Sequence, residues 1–356
     1  MKSLAMQVFL ALTLTGCATQ PSTQTTLTRY EFEKPEMGVP FRIVLYAPSQ
    51  TQGEDAAKAA FARVEQLNNI CSDYEYDSEL SALSRTSGKG QAVKVSQELW
   101  HVLSRAQDLA RESGGAFDIT VGPFVSLWRK ARREQKMPDS AKLEAARAAV
   151  GWEKLRLDRK KRTAELLVAG MRLDLGGIAK GYALDQALQV LRARKISKAL
   201  VSGGGDLVVG DPPPGKRGWR VELPPLDASN APPAQFVELR NAALSTSGDL
   251  YQRLEIDGKR YSHIVDPRTG IGLTDHSLVT VIAPDGITAD SLTKVGSILP
   301  PEQAMKFMEH RRGIAVRIVR KPADKIQVFQ STRFKRALSG TTSTPVGRSV
   351  PGAPAL

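Results

Sequence analysis

The segment 174–182 (DLGGIAKGY) has the residue types and spacing of an anion-binding loop. A short apolar stretch, two glycines and the start of a helical pattern follow one another. Backbone N–H groups and the positive end of a helix dipole would therefore point to one place. Lys180 adds a mobile positive charge in the first helical turn. The spacing is neither a Walker A loop nor a dinucleotide fingerprint, so the segment predicts either a phosphate site or a tight structural turn.

Two further segments carry groups suited to the chemistry of a phosphate ligand. Residues 202–206 (SGGGD) would let the backbone approach a ligand closely, and Asp206 could hold that ligand by hydrogen bonds. Residues 263–270 (HIVDPRTG) place a histidine, an acid and a base around one turn, which suits proton transfer or phosphate contact. A structural role is the alternative for His263.

Asp290 and Thr293 offer hard oxygen ligands of the kind that Mg²⁺ prefers. Three residues apart, they would face the same side of a helix. The alternative is that Asp290 caps the N-terminus of that helix. A phosphate-rich ligand, a hard metal and a base together indicate phosphoryl or nucleotidyl transfer.

The elements that would position these groups follow from hydrophobic periodicity and turn residues. Predicted helices cover residues 54–70, 97–111, 138–152, 178–194, 287–298 and 301–310. Predicted strands cover residues 41–46, 155–158, 164–168, 199–201, 206–209, 219–223, 254–256, 260–262, 277–283, 314–319 and 326–330. Helices and strands mix without strict alternation, which indicates an α+β fold. No linker divides the body of the chain, so we expect one catalytic domain with two intergrown lobes.

The N-terminus has the pattern of a bacterial lipoprotein signal. Lys2 precedes a short apolar stretch that ends at residues 14–17 (LTGC), which predicts a signal peptide over 1–16 and lipidation of Cys17. Residues 17–29 then form a tether, 30–336 the catalytic domain and 337–356 a disordered tail. Acylation of Cys17 would leave Cys71 without a disulfide partner, and we expect Cys71 to be buried and inert.

The formal net charge of +13 includes basic runs at 129–133 and 159–162. Such charge attracts nucleic acid, anionic lipid or phosphorylated ligands. The runs lack interleaved aromatic residues, and no nucleic-acid motif accompanies them. We therefore interpret both runs as solvated faces and expect no nucleic-acid partner.

Eight motifs occur in the order in which the FAD:protein FMN transferase family carries them, and the chain resembles that family from about residue 37 to about residue 299. They are 37–38 (MG), 78–81 (SELS), 115–120 (GAFDIT), the loop at 174–182, 202–206, 246–249 (TSGD), 263–270 and 289–290 (AD). The lipoprotein signal also matches the family.

The resemblance implies a T-fold-related α+β domain with mixed or antiparallel sheets, flanking helices and FAD in a cleft between two lobes. By position, the residues lining FAD would be Met37, Tyr74, Ala116, Phe117, Asp118, Asp174, Lys180 and Ile264. Tyr74 and Phe117 would supply aromatic surface to the rings. The Gly177 carbonyl and the Asp290 carboxylate would bind Mg²⁺, with Thr293 as a further oxygen ligand.

The same resemblance implies a reaction and its partners. A threonine hydroxyl of an exported redox subunit, in an Asp-Gly-x-Thr-like segment, would attack the FMN-side phosphorus of FAD, and AMP would leave. His263 is the candidate base. The protein would act in the bacterial cell envelope, lipid-anchored to a membrane and facing the periplasm. An FAD pyrophosphatase and a non-catalytic FAD-binding lipoprotein are the alternative functions.

Three positions depart from the family pattern. Val39 stands where Thr is usual, and Ser84 where Asn is usual. Lys294 replaces a metal-binding Thr four residues after Asp290. Its ammonium would either replace part of the charge of the metal or point away while Thr293 binds the metal.

Overall fold

The computed structural model of the protein describes residues 26–227, 234–248, 253–322 and 325–339. The helices of this part are α1 (Gln50–Cys71), α2 (Glu79–Ser84), α3 (Gln97–Glu112), α4 (Gly122–Glu134), α5 (Ser140–Arg147), α6 (Ala179–Ala193), α7 (Gly286–Ile298), α8 (Pro301–Glu309) and α9 (Thr332–Ala337). A 3₁₀ turn covers Trp152–Lys154.

The strands of the same residues fall into one large and three small sheets. They are β1 (Thr28–Glu36), β2 (Val39–Ala47), β3 (Val93–Lys94), β4 (Leu155–Asp158), β5 (Thr163–Leu166), β6 (Ala199–Gly203), β7 (Asp206–Val209), β8 (Trp219–Leu223), β9 (Gln235–Leu239), β10 (Ala242–Gly248), β11 (Arg253–Ile256), β12 (Lys259–Ser262), β13 (Ser277–Ala283), β14 (Ala315–Arg320), β15 (Gln327–Gln330) and β16 (Leu338–Ser339).

The large sheet has the strand order β1-β2-β6-β7-β10-β13-β14-β15, and each neighbouring pair is antiparallel. The small sheets β11-β12, β16-β9-β8 and β3-β5-β4 are antiparallel as well. The expected α+β class with antiparallel sheets and flanking helices is confirmed. The hairpin between β11 and β12 turns at Asp257 and Gly258, both with positive φ, as the Asp-Gly pair predicts.

Both faces of the large sheet are covered. Helices α1, α6 and α7 pack on one face, where Phe41, Ile43 and Val281 belong to the main hydrophobic core. A second cluster on the other face includes Trp219 and Phe334. Because successive side chains of a strand point to opposite faces, the large sheet can serve two cores at once.

A third cluster lies beside these layers and is built around α4. It joins Phe124 and Trp128 of α4 to Leu143 of α5, Leu254 of β11 and Val265. This smaller core supports the turn that carries His263, because Phe124 and Trp128 contact Gly270.

Helix starts follow the expected capping chemistry. Ser49, Ser96 and Asp285 accept hydrogen bonds from backbone N–H groups of α1, α3 and α7. The N-cap of α7 is thus Asp285, five residues before Asp290, so the capping alternative for Asp290 does not hold. Among the described residues, no helix combines the length and the apolar character needed to cross a bilayer.

Several predicted boundaries need correction. Strand β1 begins at Thr28, inside the predicted tether, because residues 28–36 pair along their whole length with β2. At the other end, α9 ends at Ala337 and β16 pairs with β9, so the ordered domain runs at least to Ser339. The predicted helix at 138–152 is shorter, because α5 ends at Arg147. The signal peptide, Cys17 and residues 340–356 lie outside the described residues.

Candidate functional site

A cleft of about 1050 Å³ opens where the 174–177 loop, the β6–β7 turn, α4 and the His263 turn meet. Of the residues predicted to bind FAD, metal or a proton, ten line this cleft. They are Met37, Tyr74, Ala116, Phe117, Asp118, Asp174, Gly177, Lys180, His263 and Ile264. Asp290 and Thr293 are fully buried, and the cleft wall at that point is Lys294.

The Asp174 loop is both a tight turn and a wall of the cleft. The Asp174 carboxylate accepts a hydrogen bond from the Gly176 N–H at 2.8 Å. In the first turn of α6, the Gly181 N–H donates to the Asp290 carboxylate at 3.1 Å. Two N–H groups that were expected to face a phosphate are therefore taken by the protein's own carboxylates.

Helices α6 and α7 approach closely enough to make this contact possible. A Cβ at Gly181 would lie 2.1 Å from the carbonyl oxygen of Gly286, so only glycine fits at the crossing. The close approach brings the second turn of α7, which carries Asp290, against the N-terminal end of α6.

Lys180 links the loop to the glycine turn. Its ammonium lies 2.9 Å from Asp206 and 3.9 Å from Asp290. Burial by itself lowers the pKa of Lys180, but the two carboxylates more than offset this effect, so its pKa stays above the ordinary value and the group is charged. Asp206 also accepts a hydrogen bond from the Ser245 hydroxyl of β10. Asp206 was predicted to hold a ligand, but in the structure its carboxylate holds Lys180 of the protein itself.

Lys294 points inward, toward the carboxylate that was predicted to bind the metal. Its ammonium lies 2.9 Å from Asp290 Oδ1 and 3.0 Å from Thr293 Oγ1. The Thr293 hydroxyl in turn donates to the Asp290 carbonyl at 2.6 Å. Burial alone would raise the pKa of Asp290, but Lys180 and Lys294 bring it below its usual range. Asp290 is therefore an ionised carboxylate between two ammonium groups.

These contacts do not suit a magnesium ion on Asp290 and Thr293. Both predicted side-chain ligands already bind the Lys294 ammonium, and Mg²⁺ requires oxygen ligands close to an octahedral arrangement. Within the described ranges, no three His, Cys, Asp or Glu side chains come together as a potential metal site.

The two aromatic residues predicted to contact the flavin rings, Tyr74 and Phe117, lie in different places, one at the rim of the cleft and one in the interior. Tyr74 stands at the rim with 74% of its surface exposed, and the Arg129 guanidinium lies 4.1 Å from its ring centroid. Phe117 is buried beneath the loop, and its ring lies 3.4 Å from the place of a Cβ on Gly177. Tyr74 therefore offers an open ring face to a ligand, whereas Phe117 mainly supports the loop.

The Asp118 side chain is hydrogen-bonded within the turn that precedes α4. Its Oδ1 accepts hydrogen bonds from the Thr120 N–H at 2.8 Å and from the Thr120 hydroxyl at 2.7 Å. Burial raises the pKa of this carboxyl to about 6, although both bonds from Thr120 oppose the shift. Asp118 thus titrates close to neutral pH while it lines the cleft.

Helix α4 connects the two sides of the cleft. Its Arg129 forms ion pairs with Asp73 and, at 2.9 Å, with Asp174. The neighbouring Trp128 donates its indole N–H to the Gly270 carbonyl at 2.8 Å. Gly270 has φ +73°, and a Cβ there would lie 2.7 Å from the Phe124 ring. One helix therefore sets both the Asp174 loop and the His263 turn.

Within the His263 turn, Asp266 binds Arg268, through the Arg268 backbone N–H at 2.9 Å and its guanidinium at 2.8 and 2.9 Å. The Ser262 hydroxyl accepts a hydrogen bond from the Ile264 N–H. These contacts fix the backbone on both sides of His263, which lines the cleft together with Ile264 and Pro267.

The family motif at 78–81 and its extension to Ser84 have structural roles in this chain. Ser78 caps α2, and Glu79 accepts a hydrogen bond from the Ser96 N–H at the start of α3. Ser84, which replaces the usual Asn, accepts one from the Leu173 N–H next to the Asp174 loop. Of the motif 246–249, residues 246–248 line the cleft and Asp249 lies outside the described residues.

Sequence reasoning missed Asp73, Arg129 and Ser245. The run 129–133 was interpreted as a solvated face, but the Arg129 side chain is only 16% exposed and Ala131 is buried. The apolar spacing of Phe124, Trp128 and Ala131 is the signal that would have revealed this helix.

Comparisons with known proteins identify the family of this chain. The model of the ApbE family matches residues 37–318. A relative from Klebsiella pneumoniae named FAD:protein FMN transferase is 30% identical over 92% of this chain and 95% of its own length. The protein of the same name from Escherichia coli K12 is 29% identical, with the same coverage.

Solved structures give the same result. The flavin transferase ApbE from Vibrio cholerae is 28% identical, with a TM-score of 0.79 over 88% of this chain and all of that one. The apo flavinyl transferase ApbE from Pseudomonas stutzeri is also 28% identical, with a TM-score of 0.76 over 87% of this chain and 97% of that one. On the match of its sequence and the likeness of its fold, this chain belongs to the ApbE family.

Proposed function

We propose that this protein is an FAD:protein FMN transferase, which moves FMN from FAD to a threonine hydroxyl of another protein and releases AMP. The observation that carries the proposal is that Lys180, the Asp174 loop and His263 meet in one cleft. The same activity is named for curated relatives that this chain covers almost end to end.

The step we propose is a displacement at phosphorus. The acceptor hydroxyl gives its proton to His263, and its oxygen forms a bond to the FMN-side phosphorus of FAD. The bond from that phosphorus to the bridging oxygen breaks, and AMP leaves with the bridging oxygen. The charged Lys180 ammonium, fixed by Asp206, stabilises the negative charge on the phosphates. A cleft of about 1050 Å³ is large enough for a dinucleotide.

A surface suited to binding the flavin ring system lies at the rim of the cleft. Tyr74 offers an aromatic face there, and its other face is covered by Arg129. Ala116, Ile264 and Ile298 form an apolar patch on the wall. Flat aromatic ligands bind such mixed apolar and aromatic surfaces through burial of apolar area.

The proposed location and acceptor rest on the sequence. The LTGC pattern at 14–17 supports lipidation of Cys17 and a site of action in the bacterial cell envelope, facing the periplasm. The proposed acceptor is an exported redox subunit with an Asp-Gly-x-Thr-like segment. Analysis of the mature protein by mass spectrometry, for a lipid-modified Cys17 at its N-terminus, tests the anchor.

Mg²⁺ stays a prediction from the family resemblance. The donor set around Asp290 does not suit that ion, since Lys294 binds both predicted side-chain ligands. No step of the proposed reaction is therefore assigned to a metal.

The test of the proposed function is the intact mass of an acceptor subunit after incubation with the full-length protein and FAD. We expect a mass increase of one FMN moiety. His263→Ala should lower the rate by about 100-fold or more, the usual contribution of a general base. His310→Ala is the matched control, because His310 is exposed at the end of α8, outside the cleft lining.

Other results would select another function. AMP and FMN formed without any change in the acceptor would indicate an FAD pyrophosphatase. FAD that stays bound and intact would indicate a flavin-binding lipoprotein.

A further inference from the structure

We propose that the Lys294 ammonium takes the place of a divalent cation in this site, so that FAD binding and FMN transfer proceed without Mg²⁺. The transfer part of this inference rests on the proposed function, whereas the binding part can be tested without turnover. It concerns this chain in particular, because Lys294 is one of the three positions at which the sequence departs from the family pattern.

The position of the ammonium is the first support. It contacts the Asp290 carboxylate and the Thr293 hydroxyl at 2.9 and 3.0 Å, the two side chains predicted to bind the metal. Asp290 is fully buried, whereas the Lys294 side chain is 17% exposed and lines the cleft. The Lys294 ammonium therefore lies between the Asp290 carboxylate and any ligand in the cleft. A cation that bridges this carboxylate and the ligand would have to occupy the same place.

The stem of Lys294 is the second support. A Cβ on Gly177 would lie 3.0 Å from Lys294 Cγ and 3.3 Å from its Cε, so the stem packs along the backbone of the Gly177 loop. Gly177 is also the residue whose carbonyl was predicted to bind the metal. The lysine thus contacts both predicted side-chain ligands and packs along the residue that would supply the third, and these contacts on two sides hold it in place.

Charge balance is the third support. Two carboxylates, Asp206 and Asp290, face two ammonium groups, Lys180 and Lys294, so the group is neutral as it stands. With a neutral residue at 294 it would carry a net negative charge and repel the diphosphate of FAD unless a cation were bound. With Lys294 present, a divalent cation would instead be placed beside two ammonium groups.

The binding test compares FAD affinity of the full-length wild-type protein in EDTA and in MgCl₂, followed by flavin fluorescence. We expect the two dissociation constants to agree within about twofold, a difference of well under 1 kcal/mol. FAD affinity that rises about tenfold or more with Mg²⁺ would overturn the proposal.

Variants at position 294 supply the reciprocal test. Lys294→Thr restores an oxygen ligand, and its FAD affinity should fall about tenfold or more in EDTA and recover with MgCl₂. Lys294→Met keeps the stem without the charge and should lose affinity with no recovery. Lys306→Thr is the matched control, since Lys306 is exposed on α8 away from the cleft. Lys294→Thr that binds FAD equally well with and without Mg²⁺ would contradict the proposal.

The two proposals fail in different ways. If wild type binds FAD independently of Mg²⁺ but never modifies an acceptor, the proposed function is wrong and the role of Lys294 in binding stands. If wild type modifies an acceptor only when Mg²⁺ is added, the proposed function stands and Lys294 does not replace the metal.

Discussion

Arg129 contacts three side chains that line the cleft. It pairs with Asp73 and Asp174 and covers one face of Tyr74. Asp174 depends on this contact, because burial and the neighbouring Asp73 both raise its pKa and Arg129 opposes them. Removal of the guanidinium would leave two largely buried carboxylates close together.

Arg129→Met should therefore destabilise the protein by about 3 kcal/mol, as expected when one partner of a buried pair is removed. It should also weaken FAD binding, because the Asp174 loop and Tyr74 lose their common support. Urea unfolding and FAD titration measure the two effects. The control is Arg133→Met, one turn further along α4 and exposed. Equal effects of the two substitutions would exclude a special role for Arg129.

Asp118 should make stability depend on pH in a defined direction. Its pKa is about 6 in the folded protein, above the ordinary value of 3.8, so the folded state binds the proton more tightly than the unfolded state. The contribution of this group to stability is therefore fully present below about pH 4 and is lost as pH rises through about 6.

Comparison with Asp118→Asn isolates this contribution. Two units of pKa correspond to about 3 kcal/mol. The stability of wild type relative to Asp118→Asn should fall by roughly this amount between pH 4 and pH 7. Unfolding curves at both pH values measure it, and a constant difference between the two proteins would contradict the assignment.

At the residue scale, the sequence predicted most of the cleft and missed what supports it. Met37, Lys180 and His263 were found because their motifs occur in family order. Arg129 was missed because its partners, Asp73 and Asp174, are 56 and 45 residues away, and such pairings have no local signal. The inward orientation of Lys294 was left open, because the direction of a side chain depends on packing that only the fold shows.

At the scale of elements, α4 is the part that aligns the two walls of the cleft. Trp128 binds the Gly270 carbonyl, and Phe124 packs against Gly270. The helix was not predicted, although β11, β12 and the Asp257-Gly258 turn that pack near it were. The arginines of α4 mask the apolar spacing of its buried residues in the sequence. The third core cluster shows that this apolar side of the helix is buried.

Trp128→Phe should lower the rate of FMN transfer as well as stability. The substitution leaves the buried Gly270 carbonyl without its donor, which costs about 1–3 kcal/mol, and loosens the turn that carries His263. Trp219→Phe is a matched control, because Trp219 loses a similar bond, to the Asp211 carbonyl, on the other face of the large sheet. We expect similar losses of stability in the two variants and a lower rate of FMN transfer only in Trp128→Phe. Equal transfer rates in the two variants would contradict the role of α4.

At the scale of the whole molecule, the large sheet supplies a rigid base and the smaller core supplies the opposite wall. Strand order could not be read from the sequence, because β2 pairs with β6 across more than 150 residues. The strands β9 and β10 were missed for a related reason: only their partners in the fold give them a buried face. The α+β class did follow from the sequence, since it needs only the mixture of elements.

FAD should stabilise the molecule by mass action, because the cleft exists only in the folded state. At 100 times its dissociation constant, FAD should raise the free energy of unfolding by about 2.7 kcal/mol. AMP alone, which lacks the flavin, should stabilise less at the same concentration. Thermal unfolding against ligand concentration measures both, and an unchanged midpoint with FAD would show that the cleft is not its site.

The central claim is that phosphoryl transfer in this cleft ends on a protein hydroxyl. The most direct measurement counts, in one reaction, the AMP released and the FMN covalently bound to the acceptor subunit. Equal amounts are expected, together with loss of both products when the acceptor threonine is replaced by valine. AMP in excess over bound FMN, or AMP release that persists without the threonine, would contradict the claim and assign the chemistry to hydrolysis of FAD.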